Sequence, residues 1–101
     1  MDLVRDFRRG AVRLHVLFHA ASDEVFGAQL AEELARHGHV VGPGTLYPLL
    51  HDLEASGELT SRTIVVDGRR RRCYRLTSHG RRTLAACVDA LRELSDEVLG
   101  A

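Results

Sequence analysis

The sequence predicts a mainly α fold carrying one β-hairpin, and three observations predict it. Apolar residues recur at helical spacing through most of the first 57 residues and again from 84 to 98. Between these regions, a stretch rich in Thr, Ile, Val and Arg reverses at Asp67-Gly68, a strong tight-turn pair. The two helical segments before the hairpin are joined only by His39-Val40-Val41-Gly42, a short glycine-containing turn. Helix, helix, helix, hairpin, helix is the order of a winged helix-turn-helix (α-α-α-β-β) with a further C-terminal helix.

The first helix is expected over residues 4–21, where Phe7, Ala11, Leu14, Phe18 and Ala21 follow a 4-3-4-3 spacing. Ser22-Asp23-Glu24 breaks the pattern and offers caps. A second helix is expected over 26–37, with Phe26, Leu30 and Leu34 on one face, ending at His37-Gly38-His39. The third starts at Pro43, which suits the first helical position because its missing N–H costs nothing there. Leu46, Leu49, Leu50 and Leu53 form its apolar stripe, and Gly57 suits the left-handed residue just past its end. Its opposite face carries Thr45, Tyr47, His51 and Glu54. The hairpin occupies 59–76, with strands over Leu59–Val66 and Arg72–Leu76. Thr77 is the expected N-cap of the last helix, where Leu84, Leu91 and Val98 are seven apart and Cys87 and Leu94 supply a second heptad position. So long a seam exceeds what a small domain buries alone, and a second copy of the same helix is the simplest partner. Residues 1–76 thus form the winged domain and 77–101 the dimerisation helix, within one compact domain.

Length and composition narrow the function. One hundred and one residues make one small domain with a thin core. No apolar run reaches the roughly 18 residues of a membrane span, and the first six residues contain no signal-peptide core, so no membrane partner is expected. Cys73 and Cys87 make no CxxC motif or disulfide framework, which fits a reduced, cytoplasmic protein. Ser, His and Asp occur without Gly-x-Ser-x-Gly or another nucleophile context, so no enzyme is expected. Net charge is zero, yet all 14 basic residues are arginine and eight fall between Arg62 and Arg82 against a single acid, Asp67. A local charge of +7 is a footprint for phosphate, and the Arg69-Arg70-Arg71-Arg72 run is its centre.

These residues resemble a known family. Gly27-Ala28-Gln29-Leu30, then Pro43-Gly44-Thr45-Leu46-Tyr47-Pro48-Leu49-Leu50 with Leu53-Glu54 and Gly57, then Tyr74-Arg75-Leu76-Thr77-Ser78-His79-Gly80, look like the PadR family of bacterial transcriptional regulators, over about residues 7–99. The short last helix resembles the compact subgroup, and the tryptophan some members use to stack aromatic drugs is absent. The resemblance implies a dimeric repressor whose operator affinity falls when an effector binds. It also implies that the helix from Pro43 enters the major groove while the hairpin approaches the minor groove.

The expected DNA contacts are therefore Pro43, Gly44, Thr45, Tyr47, His51 and Arg69 to Arg72, with Thr45 and His51 for base edges and Tyr47 for phosphate. Dimerisation is expected through Leu84, Cys87, Leu91, Leu94 and Val98. An effector is expected where the first and last helices meet, against Phe7, Leu14 and Phe18 with Cys87 and Leu91, since these helices set the angle between two DNA-reading domains. No resident cofactor is expected. His15 and His19, four apart on the first helix, are the first ligands to test for a transition-metal effector. A metal-responsive repressor of the same fold and a winged helix that binds protein instead of DNA are the two alternatives.

Overall fold

The structure, a computed structural model, describes residues 1–100. Its elements are α1 (Leu3–Ser22), β1 (Val25–Phe26), α2 (Gly27–Arg36), α3 (Pro43–Ala55), β2 (Leu59–Val66), β3 (Arg69–Leu76) and α4 (Ser78–Leu99). The strands form an antiparallel sheet in the order β1-β3-β2. The predicted order holds, with one addition. Val25 and Phe26 pair with Tyr74 and Cys73 as a third strand, so Phe26 is not the first residue of a helix. It sits at the N-cap of α2, and its N–H donates to Gln29 Oε1 at 2.8 Å.

The helix ends are written locally. Asp2 caps α1 by accepting from Arg5 N at 3.0 Å. Both α2 and α3 stop on the same device: a glycine in the left-handed region (Gly38 at φ 85°, Gly57 at φ 92°) followed by an N–H that donates to the carbonyl five positions back. His39 N donates to Leu34 O at 2.8 Å and Glu58 N to Leu53 O at 2.9 Å. Only a residue without Cβ takes this conformation at little cost, so each glycine sets where its helix stops. The hairpin reverses at Asp67 and Gly68, both at positive φ, in the two-residue turn that matches strand twist.

The core lies between α1, α2, α3 and one face of the sheet. Leu30, Leu34, Leu46, Leu50, Leu59 and Val16 are its fully buried side chains, with Leu49, Leu53, Tyr74 and Leu76 around them. Each such leucine contributes roughly 1.5–3 kcal/mol by leaving water. The stripe predicted for α3 is the buried one. On α1 the expected face is not. Val12, Val16, Leu17 and Ala20 turn inward, while Phe7 and Phe18 are 61% and 59% exposed. Two apolar stripes share this helix, and the smaller side chains fit the closer approach to the sheet and α2.

α4 leaves the domain through a tight joint. Thr77 Oγ1 accepts from Gly80 N at 2.9 Å and donates to Gly57 O, while Thr77 N donates to Glu58 O at 3.0 Å. Gly80 passes so near the chain that a Cβ there would stand 2.1 Å from the Glu58 carbonyl oxygen. Backbone cannot yield as a side-chain tip can. Gly80→Ala should therefore cost about 2 kcal/mol, a fall of roughly 10 °C in Tm on thermal unfolding followed by circular dichroism. An unchanged Tm would mean the joint is looser than it looks. Beyond Gly80, no residue of α4 is buried in the single chain.

Candidate nucleic-acid interface

The geometry of α3 separates its two faces. With the four leucines turned inward, Pro43, Gly44, Thr45, Tyr47 and His51 all stand exposed. Pro48 lacks the N–H that would bond the Gly44 carbonyl, so the first turns keep an acceptor free on the solvent side. Tyr47 is half-exposed, and the edge of its ring lies against Gly27, where a Cβ would come within 2.9 Å of Cε1. The start of α2 thus positions the ring rather than burying it. Glu54, on the same polar face in the sequence, is committed elsewhere. Its carboxylate accepts from Ser61 N at 3.1 Å and from Ser61 Oγ at 2.7 and 2.8 Å, tying α3 to β2.

The arginine run lies wholly within β3, which begins three residues earlier than the return strand predicted from the sequence. Arg69 to Arg72 are all exposed and alternate across the hairpin. Two are anchored on opposite faces. Arg71 places its guanidinium carbon 4.5 Å from the centroid of the Phe26 ring. Arg72 Nη1 stands 4.0 Å from Glu54 Oε1 and donates to Ser61 Oγ at 3.4 Å. Arg69 and Arg70, next to the turn, have no ion-pair partner among the described residues. The reading of Asp67 as the sole counter-charge needs correction, because Arg62 also has a partner. Its Nε and Nη2 each donate to a Glu24 oxygen at 2.8 Å. That bidentate hydrogen bond lowers the Glu24 pKa and raises that of Arg62. No local sequence pattern joins Glu24 to a residue 38 positions away.

A basic wall extends beside α3. An open cleft of about 770 Å³ lies between α1 and the start of α3, lined by Arg5, Arg8, Arg9 and Arg13 together with Gly44 and Thr45. Sequence reasoning missed these four arginines, although their 3-1-4 spacing on one helix marked a shared face. Phe7, Leu14 and Phe18 do not line that cleft: Phe7 and Phe18 face solvent and Leu14 is half-buried. Of the residues expected to dimerise, Leu84 packs against the core and Cys87 is half-buried, while Leu91, Leu94 and Val98 are exposed.

His15 and His19 come together as their spacing suggested, with ring centroids 4.4 Å apart. The turn after α2 brings in two more histidines. His37 and His39 place their rings 5.0 and 6.1 Å from that of His15. Burial, reinforced by the neighbouring imidazoles, pushes the His15 pKa down. Cys73 is buried and its thiol is pushed up by that burial, so the thiolate that redox chemistry needs is disfavoured.

Comparison with known proteins places these features. The sequence pattern of the transcriptional regulator PadR-like family matches residues 16–86. A transcriptional regulator of Mycobacterium tuberculosis (strain ATCC 25618 / H37Rv) is 60% identical over 97 residues, spanning 96% of this chain and 91% of the relative. The crystal structure of a PadR family transcriptional regulator from Eggerthella lenta DSM 2243 superposes with a TM-score of 0.84 at 33% identity, covering 95% of this chain and 85% of that one. A Streptococcus transcriptional regulator gives a TM-score of 0.84 at 26% identity, covering 93% and 94%. These relatives are transcriptional regulators and not enzymes. Among the described residues, no helix is long and apolar enough to cross a membrane.

Proposed function

The chain belongs to the PadR-like family of transcriptional regulators, and from that premise we propose that it binds double-stranded DNA as a two-fold dimer and represses transcription by occluding a promoter. The observation that carries the reading is the pairing of α3, with Thr45, Tyr47 and His51 exposed on its polar face, and a hairpin whose tip arginines have no ion-pair partner among the described residues. α3 lies in the major groove and β2–β3 follows the adjacent backbone. Arginines supply a salt-dependent, sequence-independent attraction, and α3 supplies sequence choice. Arg5, Arg8 and Arg9, on the cleft shared with Thr45, extend the phosphate contact.

Two copies meet through α4 and the outward stripe of α1. Val98 is 66% exposed, and Phe7, Leu91 and Leu94 are exposed with it, more apolar surface than scattered side chains explain. The effector, where there is one, acts where α1 meets α4, because their packing sets the angle between two winged domains. Binding of DNA to this protein in the cytoplasm is then released by any ligand that favours a different angle.

Sequence choice tests the reading. Thr45→Ala and His51→Ala should each cost about 1–3 kcal/mol for one preferred base pair and leave the other positions unchanged. Selection of bound sequences from a random duplex library, run with native and variant protein, measures this. An identical preferred sequence in both variants would remove α3 from the reading role.

A further inference from the structure

The imidazoles at the joint between α1 and the turn after α2 form a cluster that DNA binding does not use. His15 and His19 share one face of α1. His37 is the C-cap of α2, and the left-handed Gly38 turns the chain so that His37 and His39 flank it beside α1. One ligand atom from each of His15, His19 and His37 lies within 4.8 Å of the other two. His15 also has a buried ring nitrogen, Nε2, with no hydrogen-bond partner among the described residues. A packing histidine normally satisfies such an atom. Glu33, one turn before His37, holds a carboxylate oxygen 3.9 Å from His19 Nε2 and is itself steadied by Arg36 at 3.0 Å.

We propose that His15, His19 and His37 bind one transition-metal ion of the zinc, cadmium or nickel class. Neutral imidazole suits these borderline ions, whereas calcium and magnesium demand oxygen ligands. Metal–nitrogen bonds of about 2.0–2.1 Å in tetrahedral geometry put ligand atoms about 3.3 Å apart, so the cluster must close slightly. The exposed His37 side chain is free to supply that movement. Glu33 takes the fourth position or accepts from His19 and orients it, the two usual roles of a carboxylate beside a metal-bound histidine. The ion then clasps α1 to the turn that leads into α3. Any consequence for DNA rests on the function proposed above. The site itself does not.

The test is therefore made without DNA. Untagged full-length protein, stripped with a chelator and dialysed, is titrated with zinc, cadmium or nickel salt by calorimetry. One ion per chain should bind with a dissociation constant of about 10 μM or tighter. Magnesium and calcium should give no heat of binding. Loss of one imidazole should weaken the ion more than the roughly 10–100-fold typical of an outer partner, and His15→Ala, His19→Ala, His37→Ala together should abolish the site. The His51→Ala, His79→Ala protein, altered outside the cluster, should bind as the native chain does. Should substitutions on α1 unfold the protein, His37→Ala still decides, because its exposed side chain can be removed without opening the core. Cobalt(II) bound to the native protein should show the visible bands of tetrahedral coordination, and His37→Ala should lose them. No saturable binding to the native chain below about 100 μM, or full affinity in His37→Ala, overturns the proposal.

Discussion

Alanine at Arg69, Arg70, Arg71 and Arg72 together is expected to reduce affinity for every duplex at least several hundredfold at about 0.15 M salt. Each phosphate contact lowers the salt slope by about 0.9, which is roughly a fivefold share of the binding constant at that ionic strength. Four contacts multiply to about 600 for one engaged chain, and to the square of that when both chains of the dimer engage, and the loss is uniform because phosphates carry no sequence. The structure divides this effect unequally. Arg71 is held over Phe26 and Arg72 beside Glu54, so part of their charge is spent within the protein. Arg69→Ala, Arg70→Ala alone should therefore retain most of the loss, while Arg71→Ala, Arg72→Ala should show less of it. Binding isotherms at four or five salt concentrations, on a random-sequence duplex, give both affinity and slope. A native slope near zero would mean that the hairpin meets a protein partner instead, and equal slopes in native and quadruple variant would remove the hairpin from the interface.

Leu91→Asp is expected to separate the two copies and, with them, cooperative engagement of two half-sites. In the single chain Leu91 is half-exposed on α4, in line with Leu94 and Val98 on a helix that packs only its first turns against the domain. If a second α4 covers that stripe, a carboxylate there becomes a buried, unpaired charge, far costlier than lost apolar contact. Half-sites one helical turn apart, about 34–36 Å, are reached only by a dimer. Losing the second domain removes avidity of about 10²–10⁴, while contact with an isolated half-site stays as it was. Sedimentation at micromolar concentration gives the first readout and binding to one-half and two-half duplexes the second. A native chain that sediments as a well-folded monomer contradicts the assignment outright. A Leu91→Asp protein that remains dimeric moves the interface away from this stripe.

Much of this protein was legible in the sequence because its punctuation is local. Pro43 at the start of α3, Gly57 past its end, Asp67-Gly68 at the hairpin and Thr77 at the start of α4 each act on atoms within a few positions, and each sits where its chemistry requires. The leucine stripe of α3 was legible for the same reason, since a single helix had one apolar face to bury. α1 had two. Which one turned inward depended on what approached it, and the sheet and α2 accepted the valines and Ala20 in place of Phe7 and Phe18. A two-residue strand is too short for any periodicity, so β1 exists only through its pairing with Tyr74 and Cys73, nearly 50 positions on. The charge map changed in the same way. Arginines counted along the chain made one uniform patch, and folding assigned Arg62 to Glu24, Arg71 to Phe26 and Arg72 to Glu54, leaving Arg69 and Arg70 at the tip without an ion-pair partner among the described residues. The histidines follow suit: spacing alone related His15 to His19, but only the turn closed by Gly38 carries His37 across to them. Local signals depend on backbone geometry over one or two turns, whereas these contacts close loops of roughly 20 to 50 residues, and only the packed core decides which of them form.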